Sequence, residues 1–183
     1  MKRFSYFIVP LVTLLFLFTG CQNSKNPVEI EMLSQSEIST LAKKGPVLQS
    51  VTGSGQLNRP IGVVQWRTFS MNARMYSDGT VGGMFQVNNH GPGPYAKGSI
   101  TCFSIDGNQA WLGGIVEKSD IPGLIGSVRG WRVVDNGEGA NSSPDQISLI
   151  GVANNNNASD YCSDQPDRPA LHDIEAGNIQ VRP

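Results

Sequence analysis

Between residues 47 and 182, apolar and polar side chains alternate in short segments that end in glycine-rich or asparagine-rich turns. The clearest segment has Phe69, Met71, Ala73 and Met75 in one phase, with serine, asparagine and arginine between them. A period of two predicts a strand with one buried face, because successive side chains of a strand point to opposite sides of its sheet. Many such segments in series predict an all-β fold.

The alternating segments predict about eight strands in antiparallel order. Two tight turns, Ser77–Gly79 and Asp106–Asn108, connect neighbouring strands as hairpins. The predicted strands cover residues 47–57, 61–76, a segment that starts at 81, 96–105, 110–118, 124–135, 146–154 and 178–182.

Glycines lie inside several of these strands, as at Gly98, Gly114 and Gly130. Such positions favour strands that bend sharply around a small interior. The sequence therefore predicts a single small antiparallel barrel or half-open roll, because closure also removes exposed sheet edges. A β-sandwich is the alternative.

The first twenty residues have the order of a secretory signal peptide. Lys2 and Arg3 precede an apolar run from Ile8 to Phe18, and small residues follow at Thr19 and Gly20. The apolar run is shorter than the roughly 20 residues that a membrane-spanning helix needs. Residues 1–20 are therefore predicted to be removed.

The segment Leu17–Cys21 resembles the lipobox of bacterial lipoproteins, from which it departs at Phe18. The resemblance implies that Cys21 becomes the lipidated first residue and anchors the protein in the membrane of the bacterial cell envelope. Gln22 stands where an Asp would resemble an inner-membrane retention signal, so an outer-membrane location is expected in a host with two membranes. Secretion with a free Cys21 is the alternative.

Residues 21–45 are predicted to be a tether that carries one short helix near 35–44. Ser34 and Glu37 have the spacing of a capping box, and Gly45 with Pro46 ends the helix. Residues 46–183 then form one domain, since roughly 160 mature residues suit a single core better than two.

The charge of the chain bears on its binding partners, and its cysteine content bears on disulfide bonding. The formal net charge is −1 for the whole chain and becomes −1 − 2 = −3 when Lys2 and Arg3 leave with the signal peptide. There is no basic run, so nucleic acid is not an expected partner. With Cys21 lipidated, Cys102 and Cys162 remain, and two cysteines in an exported chain indicate a disulfide bond.

Six stretches spread over residues 51–182 carry a further similarity: Thr52–Gly55, Arg67–Ser70, Asp78–Gly83, Gly98–Cys102, Gly130–Gly139 and Glu175–Val181. They resemble a family of exported bacterial β-proteins with no assigned activity. The resemblance implies a single all-β domain and a Cys102–Cys162 pair, and it supplies no catalytic residues.

Acidic residues interleaved with glycine and asparagine form the first candidate site. Asp135 and Glu138 lie in one such loop, and Asp145 follows it. Carboxylate oxygens at one point are the ligands that Ca²⁺ prefers. The spacing differs from that of an EF-hand loop, and a tight structural turn is the favoured alternative.

The two histidines form the second candidate. His90 lies in a loop rich in glycine and proline, and His172 precedes Asp173. Together they would supply a metal pair or a general base. The chain has neither a GxSxG nor an HExxH motif, and a solvated loop histidine is the favoured alternative.

Aromatic residues next to arginine form the third candidate. Trp66–Arg67 and Trp131–Arg132 recur in similar strands, and Trp111 lies in another strand. Tryptophan faces and arginine forks are frequent contacts in carbohydrate and hydrophobic ligand sites. Tryptophans that only fill the core are the alternative.

Three functions follow, in order of preference. The first is a noncatalytic binding or interaction module held at the membrane, with an unknown ligand or envelope partner. The second is a structural spacer of the envelope. The third is a hydrolase that uses His90 and His172.

Overall fold

Ten antiparallel strands form a single sheet in the computed structural model, which describes residues 44–58, 66–91, 93–139, 141–153, 156–167 and 170–183. The sheet curls into a half-barrel, which confirms the predicted all-β, half-open roll. The strands are β1 (Val47–Leu57), β2 (Trp66–Tyr76), β3 (Val81–His90), β4 (Tyr95–Asp106), β5 (Gln109–Ser119), β6 (Val128–Val134), β7 (Gln146–Ser148), β8 (Gly151–Val152), β9 (Leu171–Asp173) and β10 (Ala176–Arg182).

The first six strands form a meander in which each strand pairs with the next. Strand β7 continues the sheet from β6 to β9, and the short β8 pairs with β6 alongside it. Strand β10 returns to β1 and pairs with it from Ser50 opposite Arg182 to Gln56 opposite Ala176. Strands β9 and β10 are therefore the two edges of the roll.

The β2–β3 hairpin shows how the turns are fixed locally. Gly79 has a φ of 79°, a left-handed conformation that glycine adopts without a steric cost. Asp78 Oδ1 accepts hydrogen bonds from the backbone N–H of Thr80 at 2.9 Å and from its hydroxyl at 2.7 Å. The hydroxyl bond, with the backbone bond, holds the pKa of Asp78 below its ordinary value. The turn predicted at Ser77–Gly79 is thus confirmed.

An aromatic pair fills the centre of the interior. Phe85 and Trp131 are 1% and 0% exposed, and their ring centroids are 5.0 Å apart. Two glycines on neighbouring strands leave room for the Phe85 ring: a Cβ added at Gly98 or Gly114 would lie 2.8 Å or 3.1 Å from its edge. These strand glycines therefore serve the packing of one large side chain.

A short helix, α1 (Ala158–Asp164), packs on the opposite side of the sheet, against β4, β5 and β6. Its Tyr161 forms a second apolar cluster with Trp111 and Ala153. A Cβ at Gly130 would lie 2.8 Å from the Tyr161 ring, so the absence of a side chain there lets the helix approach. The sequence analysis did not predict this helix.

A cysteine pair holds α1 to the sheet. The sulfur atoms of Cys102, on β4, and Cys162, on α1, are 2.06 Å apart, which is the distance of a disulfide bond. The predicted pairing of these cysteines therefore agrees with the structure.

Several predicted boundaries differ from the observed ones. Pro122–Leu124 forms a turn of 3-10 helix, so the strand predicted at 124–135 begins at Val128. The strand predicted at 146–154 is divided into β7 and β8, and β9 was not predicted. The signal peptide, and all of the tether and its helix except Lys44 and Gly45, lie outside the described residues, and these two residues are not helical. No helix in the described part of the chain is long and apolar enough to cross a membrane.

Candidate functional site

Two adjacent clefts open at the end of the roll where β1 ends and β2 begins. We call this end the mouth and define it by Leu57, Arg67, Asn89, Arg129 and Ile150. The clefts have volumes of about 60 Å³ and 230 Å³. Both are lined by Val87, Asn89 and Ile150, so they form one continuous surface. The other lining residues are Leu57, Arg67, Phe69, Ile147, Ser148 and Leu149 in the first, and Pro94, Ala96, Leu124 and Arg129 in the second.

The alternation of the strands places polar side chains at the mouth. In β2, Arg67 lies two residues before the buried Phe69, and thus on the inward face. Asn89 is its cross-strand partner on β3. Arg129 likewise lies two residues before Trp131 on β6. The arginines therefore occupy inward-facing positions at the points where the core opens to solvent.

Two arginines, Arg67 and Arg129, line the clefts of the mouth, and Asp173 and Glu175 line a neighbouring cleft that shares Leu57. Among the described residues that line the two clefts, none is an aspartate or a glutamate. Arg129 is half-buried, and its guanidinium has no hydrogen-bond or ion-pair partner in the described ranges. Asn89 Nδ2 donates to the carbonyl oxygen of Pro94 at 2.6 Å, which ties the β3–β4 loop to the rim. A guanidinium has only donors, so Arg129 can bind an acceptor at this surface.

The three tryptophans lie in three different places. Trp131 is in the core, where its Nε1 donates to Met71 Sδ at 3.3 Å. Trp111 lies beneath α1, and its Nε1 donates to the carbonyl oxygen of Pro166 at 3.0 Å. Trp66 is half-buried at the start of β2 and stacks on His90, with ring centroids 3.5 Å apart. The structure thus does not bring the tryptophans together.

Arg132 lies on the side of β6 that faces α1, away from the mouth. Its Nη1 forms an ion pair with Asp167 Oδ1 at 3.1 Å. Neighbouring Tyr161 is 2% exposed, and its hydroxyl has no hydrogen-bond partner in the described part of the chain. Burial raises the pKa of Tyr161 to about 12, a shift that the Arg132 charge opposes. The two arginines that sequence analysis placed in one candidate site therefore lie on opposite sides of the sheet.

The candidate calcium residues line a seam, which we define as the contact of residues 135–139 and 141–145 with the open edge of β10. Asp145 is 6% exposed, and its two carboxylate oxygens accept from the backbone N–H groups of Asn136 at 2.8 Å and Ile179 at 2.7 Å. Asp135 accepts in the same way from Gly137 and Val181, each at 2.9 Å.

The third acid of this set, Glu138, accepts from the side-chain amides of Asn178 at 3.1 Å and Gln180 at 2.8 Å. All three carboxylates are therefore engaged by donors of the protein. Within the described ranges, no group of three or more histidine, cysteine, aspartate or glutamate side chains is arranged to hold a metal ion.

The histidines lie on separate strands. His90 ends β3, where its Nε2 is 3.4 Å from the Thr68 hydroxyl and its ring covers Trp66. His172 lies on β9 opposite Ile147. Six strands in the order of the sheet run from β3 to β9, counting both.

Sequence analysis did not single out Asn89 or Arg129. The signal that would have found them is the phase of their strands: Asn89 continues the inward face of Phe85 and Val87, and Arg129 continues that of Trp131 and Val133. A polar side chain in an inward phase at the end of a strand points to the rim of the interior.

No family model matches the chain, and neither a curated protein nor a solved structure is significantly similar to it. The resemblance to exported β-proteins and to lipoproteins therefore stays a prediction, and the geometry of the site is the main guide to function.

Proposed function

We propose that this protein is a lipid-anchored protein of the bacterial cell envelope, outer-membrane in a host with two membranes, whose roll is a noncatalytic binding module. Its binding site is the mouth. The observation that carries the proposal is an apolar surface at the open end of the core, with Arg67 and Arg129 on it and no acid among its described lining.

The guanidinium of Arg129 has no hydrogen-bond or ion-pair partner within the described ranges, and this affects its free energy. Removing a charge from water without supplying a partner costs free energy, and the cost grows with burial. Half-buried Arg129 gains no compensating bond within the described ranges. A ligand that supplies an acceptor offsets this cost, and its apolar part gains from contact with Val87 and Ile150.

The direction of the strands places the mouth away from the chain's entry into the sheet. Strand β1 runs from Val47, opposite Tyr76, to Leu57, opposite Arg67 at the mouth. The chain thus enters the roll at the other end. The point of entry at Val47 and the mouth are therefore at opposite ends of β1.

Binding is tested by titrating the exported Cys21→Ser protein with an amphiphilic fluorescent probe, 1-anilinonaphthalene-8-sulfonate, and repeating the titration with Val87→Trp. We expect saturable binding to the parent and weaker binding to Val87→Trp, in which the new side chain fills both clefts. A Met84→Trp variant is the control, because Met84 is 42% exposed and lines neither cleft. Absence of saturable binding to the parent would contradict the proposal and favour the spacer.

The anchor is tested separately by metabolic labelling with a palmitate analogue. We expect Cys21→Ser to lose the label and to leave the membrane fraction. Cys102→Ser with Cys162→Ser is the matched control and keeps both. Label that persists in Cys21→Ser would overturn the lipid attachment.

A further inference from the structure

The ligand class follows from the chemistry of the mouth, and the inference rests on the binding function proposed above. The geometry points to a short apolar chain that ends in an anionic group, such as a medium-chain alkyl carboxylate. The anionic group meets Arg67 and Arg129, and the chain lies along Val87 and Ile150.

Charge selects the headgroup. A guanidinium group is a cation with five N–H donors. Hydrogen bonds between guanidinium and carboxylate or phosphate are shorter and about twice as strong as neutral ones. Since none of the described lining residues is acidic, an anion meets no carboxylate within the two clefts, whereas a cationic headgroup meets the like charge of an arginine in each.

Volume limits the apolar part. At about 30 Å³ for each water-sized group, the clefts of 60 Å³ and 230 Å³ hold about two and about eight such groups. This space accommodates a chain of about the length of octanoate. It is too small for a long-chain diacyl lipid, whose tails would extend into solvent.

The walls suit such a chain along its whole length. Ala96 and Leu124 line the larger cleft next to Arg129, and Leu57 and Leu149 line the smaller one next to Arg67. Each cleft thus combines one guanidinium with aliphatic side chains. An alkyl chain placed across the shared residues Val87 and Ile150 contacts both.

The experiment compares three probes of equal chain length by calorimetry on the exported Cys21→Ser protein: octanoate, 1-octanol and octylammonium. We expect octanoate to bind at least about tenfold more tightly than octanol, which corresponds to about one charge-assisted hydrogen bond. We expect octylammonium to bind more weakly than octanol. Octyl phosphate, measured in the same way, tells a preference for phosphate from one for carboxylate.

The variants locate the headgroup. Arg129→Met and Arg67→Met keep the length of the side chain without its charge, and each should weaken octanoate about tenfold with little effect on octanol. Arg129→Lys should restore part of the loss. Arg74→Met is the matched control, because Arg74 is exposed on β2 and lines neither cleft. Unchanged thermal unfolding shows that each variant is folded.

The outcomes separate the two proposals. Octanol binding as tightly as octanoate, or octanoate affinity that survives both Arg→Met changes, would overturn the anionic ligand and leave binding at the mouth intact. No binding of any of these probes, together with none of the fluorescent probe, would overturn the binding function itself.

Discussion

At the scale of single residues, the Trp-Arg dipeptides show that identity alone does not fix orientation. In β2, Arg67 points inward beside Phe69, and Trp66 lies on the other face. In β6 the phase is reversed: Trp131 is in the core, and Arg132 lies on the side of α1. Which of the two side chains faces the core is determined by the buried residues on either side of them in the strand. Similar dipeptides therefore predicted one shared site, whereas the structure places them in different environments.

The close packing around the Phe85 ring predicts that adding one methyl group, at Gly98, destabilises the fold. A Cβ at Gly98 would overlap the carbonyl oxygen of Ile115 as well as the Phe85 ring. Gly98→Ala should therefore lower the free energy of unfolding by roughly 1–3 kcal/mol, measured by denaturant titration. Gly123→Ala is the control, since a Cβ there meets nothing within 4 Å, and it should change stability by less than about 0.5 kcal/mol. Equal effects of the two changes would contradict the packing argument.

The raised pKa of Tyr161 predicts that the folded state loses stability at alkaline pH. Its folded-state pKa is raised from 10.0 to about 12, so the folded state holds a proton that the unfolded state loses. The associated stability is complete below about pH 10 and is lost as the pH rises towards 12. Chemical denaturation across this range should show a steeper fall for the parent than for Tyr161→Phe.

The same substitution should not lower stability at neutral pH, because it removes a buried hydroxyl without a partner among the described residues. Tyr95→Phe serves as the control and should retain the steep alkaline fall. A fall that is unchanged in Tyr161→Phe would show that another group is responsible.

At the scale of elements, the sequence predicted those parts of the fold that are specified locally. The bounds of β1 were predicted correctly, and both tight hairpin turns were found, because alternation and turn residues are local signals. Helix α1 was missed because its seven residues show no long apolar periodicity. Its local signal is the cap: the Asn157 side chain accepts from Ser159 N at 2.9 Å, and Asp160 lies in the first turn.

What holds α1 in place is tertiary. Isolated helices of this length are marginal in water. Here α1 is stabilised by the disulfide bond and by close packing on the sheet, which the missing side chains of Gly113 and Gly130 allow. A pattern of single residues along the sequence does not encode such contacts.

At the scale of elements, we predict that the protein loses stability when the disulfide bond between β4 and α1 is removed. It closes a loop with a sequence separation of 60 residues, for which chain entropy contributes about 4 kcal/mol. Cys102→Ser with Cys162→Ser should lower the free energy of unfolding by about 2–4 kcal/mol in denaturant and leave the β-sheet spectrum of the folded state intact. Reductant should destabilise the parent similarly and leave the double variant unaffected. Sensitivity of the double variant to reductant would contradict this assignment.

At the scale of the whole molecule, the seam covers β10, one of the two edge strands of the half-barrel. Unpaired N–H groups of an edge strand otherwise invite pairing with other chains. Here Asp145 and Asp135 accept from Ile179 and Val181, so carboxylates take the place of a neighbouring strand. Sequence analysis identified these acids as a cluster. It did not identify their partners, because the partners lie more than 30 residues further along the chain.

Asp145→Asn tests the seam. An asparagine keeps one acceptor oxygen and places an N–H₂ group against one of the two backbone donors, so a charge-assisted bond is lost. We expect the free energy of unfolding to fall by about 2 kcal/mol in denaturant, since bonds to charged groups contribute about 1.5–3 kcal/mol. Asp106→Asn, at an exposed turn, is the matched control and should change little. A cost no larger than that of the control would contradict the role of Asp145.

The pairing of β1 with β10 also sets the stage of synthesis at which the roll can be completed. Strand β1 lacks one of its two neighbours until residues 176–182 have been made, because Ser50 pairs with Arg182 and Gln56 with Ala176. Contacts between such distant residues form slowly, since a long loop must close before they can stabilise the sheet. A nascent chain that ends before residue 176 therefore has no completed roll, and one edge of β1 stays open to pairing with other strands until β10 has been made.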